Sequence, residues 1–120
     1  MASTTPEQLR DRTKEFALRI VRLFRALPRS PEAQVMGKQL LQSGTSVGAN
    51  YRAVCRSRSR AEFVAKLGVV VEEADEAILW LELMTESGIV SAVKTEALLK
   101  EANELTAIFA ASQRTARNAA

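Results

Sequence analysis

The chain has 120 residues, of which 47% are hydrophobic, and this is enough apolar material for one continuous core in one domain. It contains no histidine, the commonest general base and metal ligand, and a single cysteine, which cannot form an internal disulfide. These counts argue against most hydrolases, zinc proteins and disulfide-stabilised secreted proteins, and we expect no cofactor, no bound metal and no catalytic residue.

The sequence contains no stretch that is long enough to cross a membrane. The longest apolar runs, such as residues 67–71 and 77–81, are far shorter than the roughly 20 residues that a membrane-spanning helix needs. The N-terminal residues lack the basic start and apolar run of a secretory signal. We therefore expect a cytoplasmic protein without a membrane partner, in which the thiol of Cys55 packs in the core rather than reacting.

The first helix is predicted over residues 6–27. Thr4 or Thr5 can cap its free backbone N–H groups, and Pro6 suits the first helical position. Apolar residues then recur at intervals of three and four, as on the buried face of a helix. The helix should end before Pro28, because proline disfavours helical geometry in the residue that precedes it.

The second helix is predicted over residues 31–57, and it contains the most unusual passage of the chain. By local propensity the helix should break at Gly44, with Ser46 capping a new one. The alternative is a continuous helix, because four small residues are spaced seven, four and seven apart: Gly37, Gly44, Gly48 and Cys55. In that case a neighbouring helix approaches closely along a packing seam made of Gly37, Ser43, Gly44, Gly48 and Asn50.

Two further helices are predicted over residues 60–87 and 91–112. Ser59 has the capping-box spacing to an acidic residue at the start of the third helix, and Gly88 supplies a left-handed cap at its end. Residues 113–120 are small and polar, and we expect them to form a disordered tail.

Four long helices joined by short loops predict an all-α fold, an antiparallel up-and-down four-helix bundle that forms one domain over residues 1–120. The third helix has more apolar residues than one buried face can hold, and we therefore expect the protein to associate with itself. These residues are Val64, Leu67, Val69, Val70, Val71, Ile78, Leu79, Trp80, Leu81 and Leu83.

The charge is divided unequally along the chain. Residues 1–60 hold twelve Lys and Arg against four Asp and Glu, a net charge of +8, whereas residues 61–120 hold five against ten, a net charge of −5. Arginines recur at intervals of three or four in the basic half, where they predict a nucleic-acid-binding surface. The candidate residues are Arg52, Arg56, Arg58, Arg60, Arg19, Arg22 and Arg25.

The basic surface has an alternative interpretation, in which carboxylates of the third helix neutralise the arginines within one protomer or between two. These carboxylates are Glu72, Glu73, Asp75 and Glu76. A metal site in this acidic cluster is disfavoured because no histidine accompanies it. Tyr51 and Trp80 can stack on nucleobases, but at helical spacing such residues more often belong to a core or an interface.

Three segments together resemble a known family. They are residues 39–52 (QLLQSGTSVGANYR), residues 62–76 (EFVAKLGVVVEEADE) and residues 80–83 (WLEL). They are similar to the bacterial four-helix-bundle proteins encoded in intervening sequences of large-subunit ribosomal RNA genes. The resemblance extends from the first helix to about Phe109. Many relatives have an acidic residue shortly after the asparagine, where this chain has Ala53-Val54-Cys55.

The resemblance implies a protomer in which the glycine-containing passage stays helical, and a ring of protomers, a homopentamer. It also implies a link to the accessory proteins of diversity-generating retroelements, which work beside a reverse transcriptase and its RNA. The expected function is thus that of a non-enzymatic, homo-oligomeric protein that binds RNA, as an accessory to a complex that contains a reverse transcriptase or a ribosomal component. The alternative is a scaffold or adaptor with protein partners only.

Overall fold

The computed structural model describes residues 4–119 and contains four helices in this range. They are α1 (Pro6–Arg25), α2 (Pro31–Cys55), α3 (Arg60–Glu86) and α4 (Ala92–Asn118). Each helix packs along the next, α1 also approaches α4 over a shorter stretch, and the backbones of the diagonal pairs stay apart. The predicted up-and-down four-helix bundle is therefore confirmed. No helix within residues 4–119 is long and apolar enough to cross a membrane.

The ends of the helices follow from local sequence. Thr5 and Gln8 form a capping box at the start of α1, in which each side chain bonds to the backbone of the other. The hydroxyl of Ser59 accepts a hydrogen bond from the backbone N–H of Glu62 at the start of α3. After α3 the chain turns at Gly88, whose φ of 82° is one that glycine adopts without a steric penalty.

All four helices contribute to one apolar core. Tyr51 of α2 and Phe109 of α4 contact each other with ring centroids 5.2 Å apart and an interplanar angle of 31°. Such tilted aromatic pairs add to the stability that comes from burial alone. The largest fully buried side chains are Phe16, Phe109, Ile20, Leu40, Leu67, Leu81, Met84 and Leu105.

The passage that local propensity would break is an unbroken part of α2, and its glycines lie against α1. A Cβ atom added to Gly44 would lie 2.8 Å from Cγ1 of Ile20, and one added to Gly37 would meet Leu27 and Phe24. At Gly48 the nearest atom would be the backbone oxygen of Thr13, at 3.4 Å. The absence of these side chains lets the two helices approach closely, which compensates for the low helix propensity of glycine.

The polar residues predicted for the seam behave differently from its glycines. Ser43 is fully buried, but its hydroxyl donates to the backbone oxygen of Gln39 in its own helix, at 3.0 Å. Asn50 is partly exposed. The seam between α1 and α2 is thus a contact of small residues and apolar side chains, and Ser43 does not hydrogen-bond across it.

The prediction that Cys55 packs in the core is wrong, because the residue is exposed. In an antiparallel pair, each residue further along α2 faces a residue further back along α1. Gly48 faces Thr13, so the position seven residues later faces Pro6, the first residue of α1. α1 begins at the level of Cys55, so this helix covers the earlier residues of the seam and leaves Cys55 exposed.

The prediction of a disordered tail is also wrong for residues 113–118, because α4 continues to Asn118. The amide of Gln113 donates to the backbone oxygen of Val64 at 3.1 Å, and Nη1 of Arg60 donates to the backbone oxygen of Ala119 at 2.7 Å. Val64 and Arg60 both lie at the start of α3. A prediction from the local sequence of residues 113–118 could not include contacts to residues so distant in the chain. Ala120, the last residue of the predicted tail, lies outside the described residues.

The seam predicts opposite effects for two glycine substitutions. Gly44→Ala gains about 1 kcal/mol of helix propensity, but overpacking against the buried Ile20 costs about 1–3 kcal/mol, so we expect a net loss of stability. Gly48→Ala makes an ordinary contact and should stabilise the protein by up to about 1 kcal/mol. Urea unfolding of both variants measures the difference, and equal effects would show that the approach at Gly44 does not limit the fold.

Candidate nucleic-acid interface

An open groove of about 370 Å³ runs between α1 and α2 along the outer edge of the glycine seam. Four cationic residues line it, and we call it the basic groove: Arg10 and Lys14 of α1, Arg52 of α2, and Arg56, which directly follows α2. Its remaining lining consists of small side chains, which leave the space between the two helices open. The antiparallel pairing places residues near the start of α1 beside residues near the end of α2, and this brings the four cations together.

Within residues 4–119, none of the four cations of the basic groove forms an ion pair. Lys14, Arg52 and Arg56 are exposed, and Arg10 is partly exposed. Four like charges around one groove repel one another and create a positive potential that attracts an anion. The arrangement fits a chain of phosphates, because arginine binds phosphate oxygens through two parallel hydrogen bonds.

The acidic cluster of α3 does not neutralise Arg52 or Arg56 in this chain. The two arginines lie at the end of α2, next to the connection that leads into α3. Glu72 lies twelve residues beyond the start of α3, which is about 18 Å along the helix. Within the cluster, burial first and then the charges of Glu76 and Glu72 raise the pKa of Glu73.

The other predicted arginines of the α2–α3 region do not line the groove. Arg58 is exposed in the connection between the two helices. Arg60, the first residue of α3, lines an adjacent pocket together with Arg10 and donates to the backbone oxygen of Ala119. The predicted column thus divides into two parts, with Arg52 and Arg56 in the groove and Arg60 at its end.

The predicted arginines of α1 do not join the basic groove. Arg19 is partly exposed, and Arg22 is 3.4 Å from a carboxylate oxygen of Glu15 on the surface of the same helix. Arg25 lies with Arg29 near the end of α1. The sequence reasoning overlooked Arg10 and Lys14, although their spacing of four residues is the one that places two side chains on the same face of a helix.

Arg12 also belongs to the basic half of the sequence, but it connects α1 to α4. Its Nε lies 3.1 Å from Oε2 of Glu101, and its Nη2 lies 2.6 Å from Oε1 of the same residue. Nη2 also lies 3.2 Å from Oε1 of Glu104. These bonds raise the pKa of Arg12 and hold its guanidinium away from the groove.

The two aromatic candidates have different surroundings. Tyr51 is buried, and burial first and then the neighbouring Cys55 raise its pKa, so the phenol stays neutral. Trp80 is partly exposed on α3, and its Nε1 lies 3.4 Å from a carboxylate oxygen of Glu76. Neither residue lines the basic groove. In the part of the chain that the structure describes, no group of three or more acidic or cysteine residues is arranged to hold a metal ion.

The fold and the groove together define a small helical bundle with a cationic surface between its first two helices. The chain belongs to the family of 23S rRNA-intervening sequence proteins, whose model matches residues 8–111. The match includes most of both walls of the groove, and the resemblance inferred from the sequence is confirmed.

A solved structure has the same architecture. It is the crystal structure of a protein of unknown function from the S23 ribosomal protein family of Bacteroides thetaiotaomicron VPI-5482. The two chains share 34% sequence identity and superpose with a TM-score of 0.84, over 92% of this chain and 98% of the other. A comparison with curated protein sequences gave no significant match.

The Arg12 contacts predict different roles for the two carboxylates of α4. Glu101 is 19% exposed and accepts two hydrogen bonds, so Glu101→Gln should lower the free energy of unfolding by about 1 kcal/mol. Glu104 is 54% exposed and accepts one, so Glu104→Gln should change it by less than about 0.5 kcal/mol. Urea unfolding of the two matched variants tests this, and an equal loss would show that burial does not strengthen the pair.

Proposed function

We propose that this protein binds RNA through the basic groove, in the cytoplasm, and that it acts as a binding protein rather than an enzyme. The observation that carries the proposal is one open groove lined by four cations that form no ion pair within residues 4–119. Family membership supports RNA as the anion, because the family is that of proteins of 23S rRNA intervening sequences.

The proposed binding is directed at the phosphate backbone. Lysine and arginine contacts to phosphate release counterions, which gives affinity without reading a particular base sequence. A protein with this property suits an accessory role in an RNA-containing complex, such as one built around a reverse transcriptase or a ribosomal component. The groove supplies the contact, and the partner complex supplies the specificity.

We also propose that the protein forms a homo-oligomer, a pentamer as the family resemblance implies, through the outer face of α3. Three large apolar side chains on this face remain substantially exposed in the protomer: Val69 (43%), Leu79 (48%) and Leu83 (42%). The acidic residues Glu72 and Glu76 lie between them along the same helix. Exposed apolar side chains grouped on one helix face in this way are typical of an interface.

The runner-up function, a scaffold with protein partners only, rests on the same exposed face of α3. In that case the face binds a different protein, and the basic groove binds carboxylates instead of phosphates. The two functions differ in how affinity for RNA responds to changes in the groove.

Replacement of the two groove arginines at the end of α2 tests the RNA-binding proposal. Arg52→Gln with Arg56→Gln removes two charges and keeps good helix formers, so the fold should persist. Affinity for a single-stranded RNA should fall about tenfold or more, because hydrogen bonds to charged groups are lost. The dependence of log affinity on log salt concentration should become less steep by about 0.7 unit for each phosphate contact removed from a single strand.

The matched control is Arg22→Gln with Arg25→Gln, which removes the same charge from the part of α1 outside the groove. Its effect on affinity should be much smaller. Fluorescence anisotropy over a series of salt concentrations measures both variants. Equal losses for the two pairs would mean that net charge, and not the groove, determines binding.

The oligomer proposal predicts that the outer face of α3 controls the mass of the particle. Wild-type protein should be larger than a protomer in light scattering at micromolar concentration. Leu79→Gln with Leu83→Gln should shift it towards the protomer, because the apolar contact is lost while helix propensity is kept. Val93→Gln, which changes an apolar residue that is 85% exposed on α4, is the control and should have no effect. A protomer-sized wild type would contradict the proposal.

A further inference from the structure

A second pocket lies at the end of the bundle where α2 passes into α3. It has a volume of about 470 Å³, within the range of small-ligand sites. We call it the end pocket. Pro6, Tyr51, Val54 and Phe63 form its apolar and aromatic walls, and two cations, Arg10 and Arg60, line it as well. Phe63 is only partly buried, so part of its surface remains available to a ligand.

The end pocket is adjacent to the basic groove. Arg10 lines both spaces, and α2 contributes residues to both within its last two turns. A ligand in the groove therefore lies next to the opening of the pocket. The two spaces have complementary chemistry, since the groove is cationic and the pocket combines apolar walls with an aromatic side chain.

The wall of the end pocket also contains a polar atom without a partner. Oγ of Ser57 is buried and forms no hydrogen bond with the described residues. Buried hydroxyl groups in native proteins are nearly always paired, and each exception calls for an explanation. Polar atoms at the edge of a flat ring are one chemistry that would pair with this hydroxyl.

We propose that the end pocket holds one unpaired nucleobase of an RNA strand whose phosphates lie in the basic groove. The inference rests on the proposed function and deepens it, because it makes single-stranded RNA the preferred ligand. A nucleobase is flat, has an aromatic face for Phe63 and polar edges, and is attached to the phosphates that the groove binds. Proteins commonly recognise single-stranded RNA in this way, with bases turned out and stacked on aromatic side chains.

Duplex RNA cannot use both parts of this site. Its bases are paired and stacked inside the helix, so only its phosphates can reach the protein. Single-stranded and duplex RNA should therefore share the contacts in the basic groove and differ at Phe63. This difference separates the inference from the proposed function on which it rests.

The first experiment compares two probes, a fluorescein-labelled oligoadenylate and the same strand annealed to oligouridylate. Phe63→Leu keeps an apolar side chain and removes the aromatic face, and we expect about a tenfold loss of affinity for the single strand and no change for the duplex. Phe63→Trp should restore single-strand binding. Phe24→Leu is the control, because it makes the same change at a partly exposed phenylalanine near the end of α1, away from the end pocket. It should affect neither probe.

The outcomes distinguish the proposed base site in the end pocket from the proposed RNA binding in the basic groove. If Phe63→Leu weakens both probes equally or neither, the end pocket does not hold a base and the inference is overturned, while groove binding stands. If wild-type protein binds neither probe, the proposed function itself fails. Thermal unfolding of each variant identifies any loss of affinity that comes from a loss of fold.

A second measurement needs no substitution. Cys55 is the single cysteine of the chain, is exposed and lines the end pocket, so its rate of reaction with a maleimide reports access to the pocket. The single-stranded oligoadenylate should slow this reaction several-fold at saturation, and the duplex should not. Equal protection by both probes would assign the shielding to the groove alone and overturn the inference.

Discussion

The close approach of α1 and α2 is the constraint on which the rest of the structure depends. The two helices approach closely because Gly37 and Gly44 have no side chain where Leu27, Phe24 and Ile20 need space. A larger residue at either position would separate the helices over several turns, since packed helices move as rigid units. The same approach sets the register of α1 against α2, and the register decides which charged residues face one another.

The register brings together cations that form no ion pair within residues 4–119. Arg10 and Lys14 of α1 lie beside Arg52 and Arg56 at the end of α2, without a carboxylate partner in the described chain. Other cations of the same half of the sequence are satisfied, because Arg12 bonds to Glu101 and Glu104 of α4. The bundle therefore separates its basic residues into a set that supports the fold and a set that stays available to an anion.

The apolar core and the basic groove occupy different parts of the bundle, so the proposed binding surface does not compete with the core for residues. The apolar core lies among all four helices, whereas the basic groove lies outside the core between two of them. None of the four groove cations is buried, and the repulsion among them is modest because the side chains are largely solvated. The resemblance to a structure of the S23 ribosomal protein family extends over nearly the whole bundle, so the framework that positions the groove is shared.

The sequence by itself determined the four helices, most of their ends and the family, because apolar spacing, caps, prolines and Gly88 act over one or two turns. It also identified Arg52 and Arg56 as residues of a basic surface. Only the tertiary structure decided that Arg10 and Lys14 lie beside them, and that Arg12 pairs with carboxylates of α4 instead. The exposure of Cys55 was decided in the same way, because all these outcomes depend on the register between helices. The helical end of α4 was likewise decided by contacts to the start of α3, from residues about fifty positions earlier in the chain.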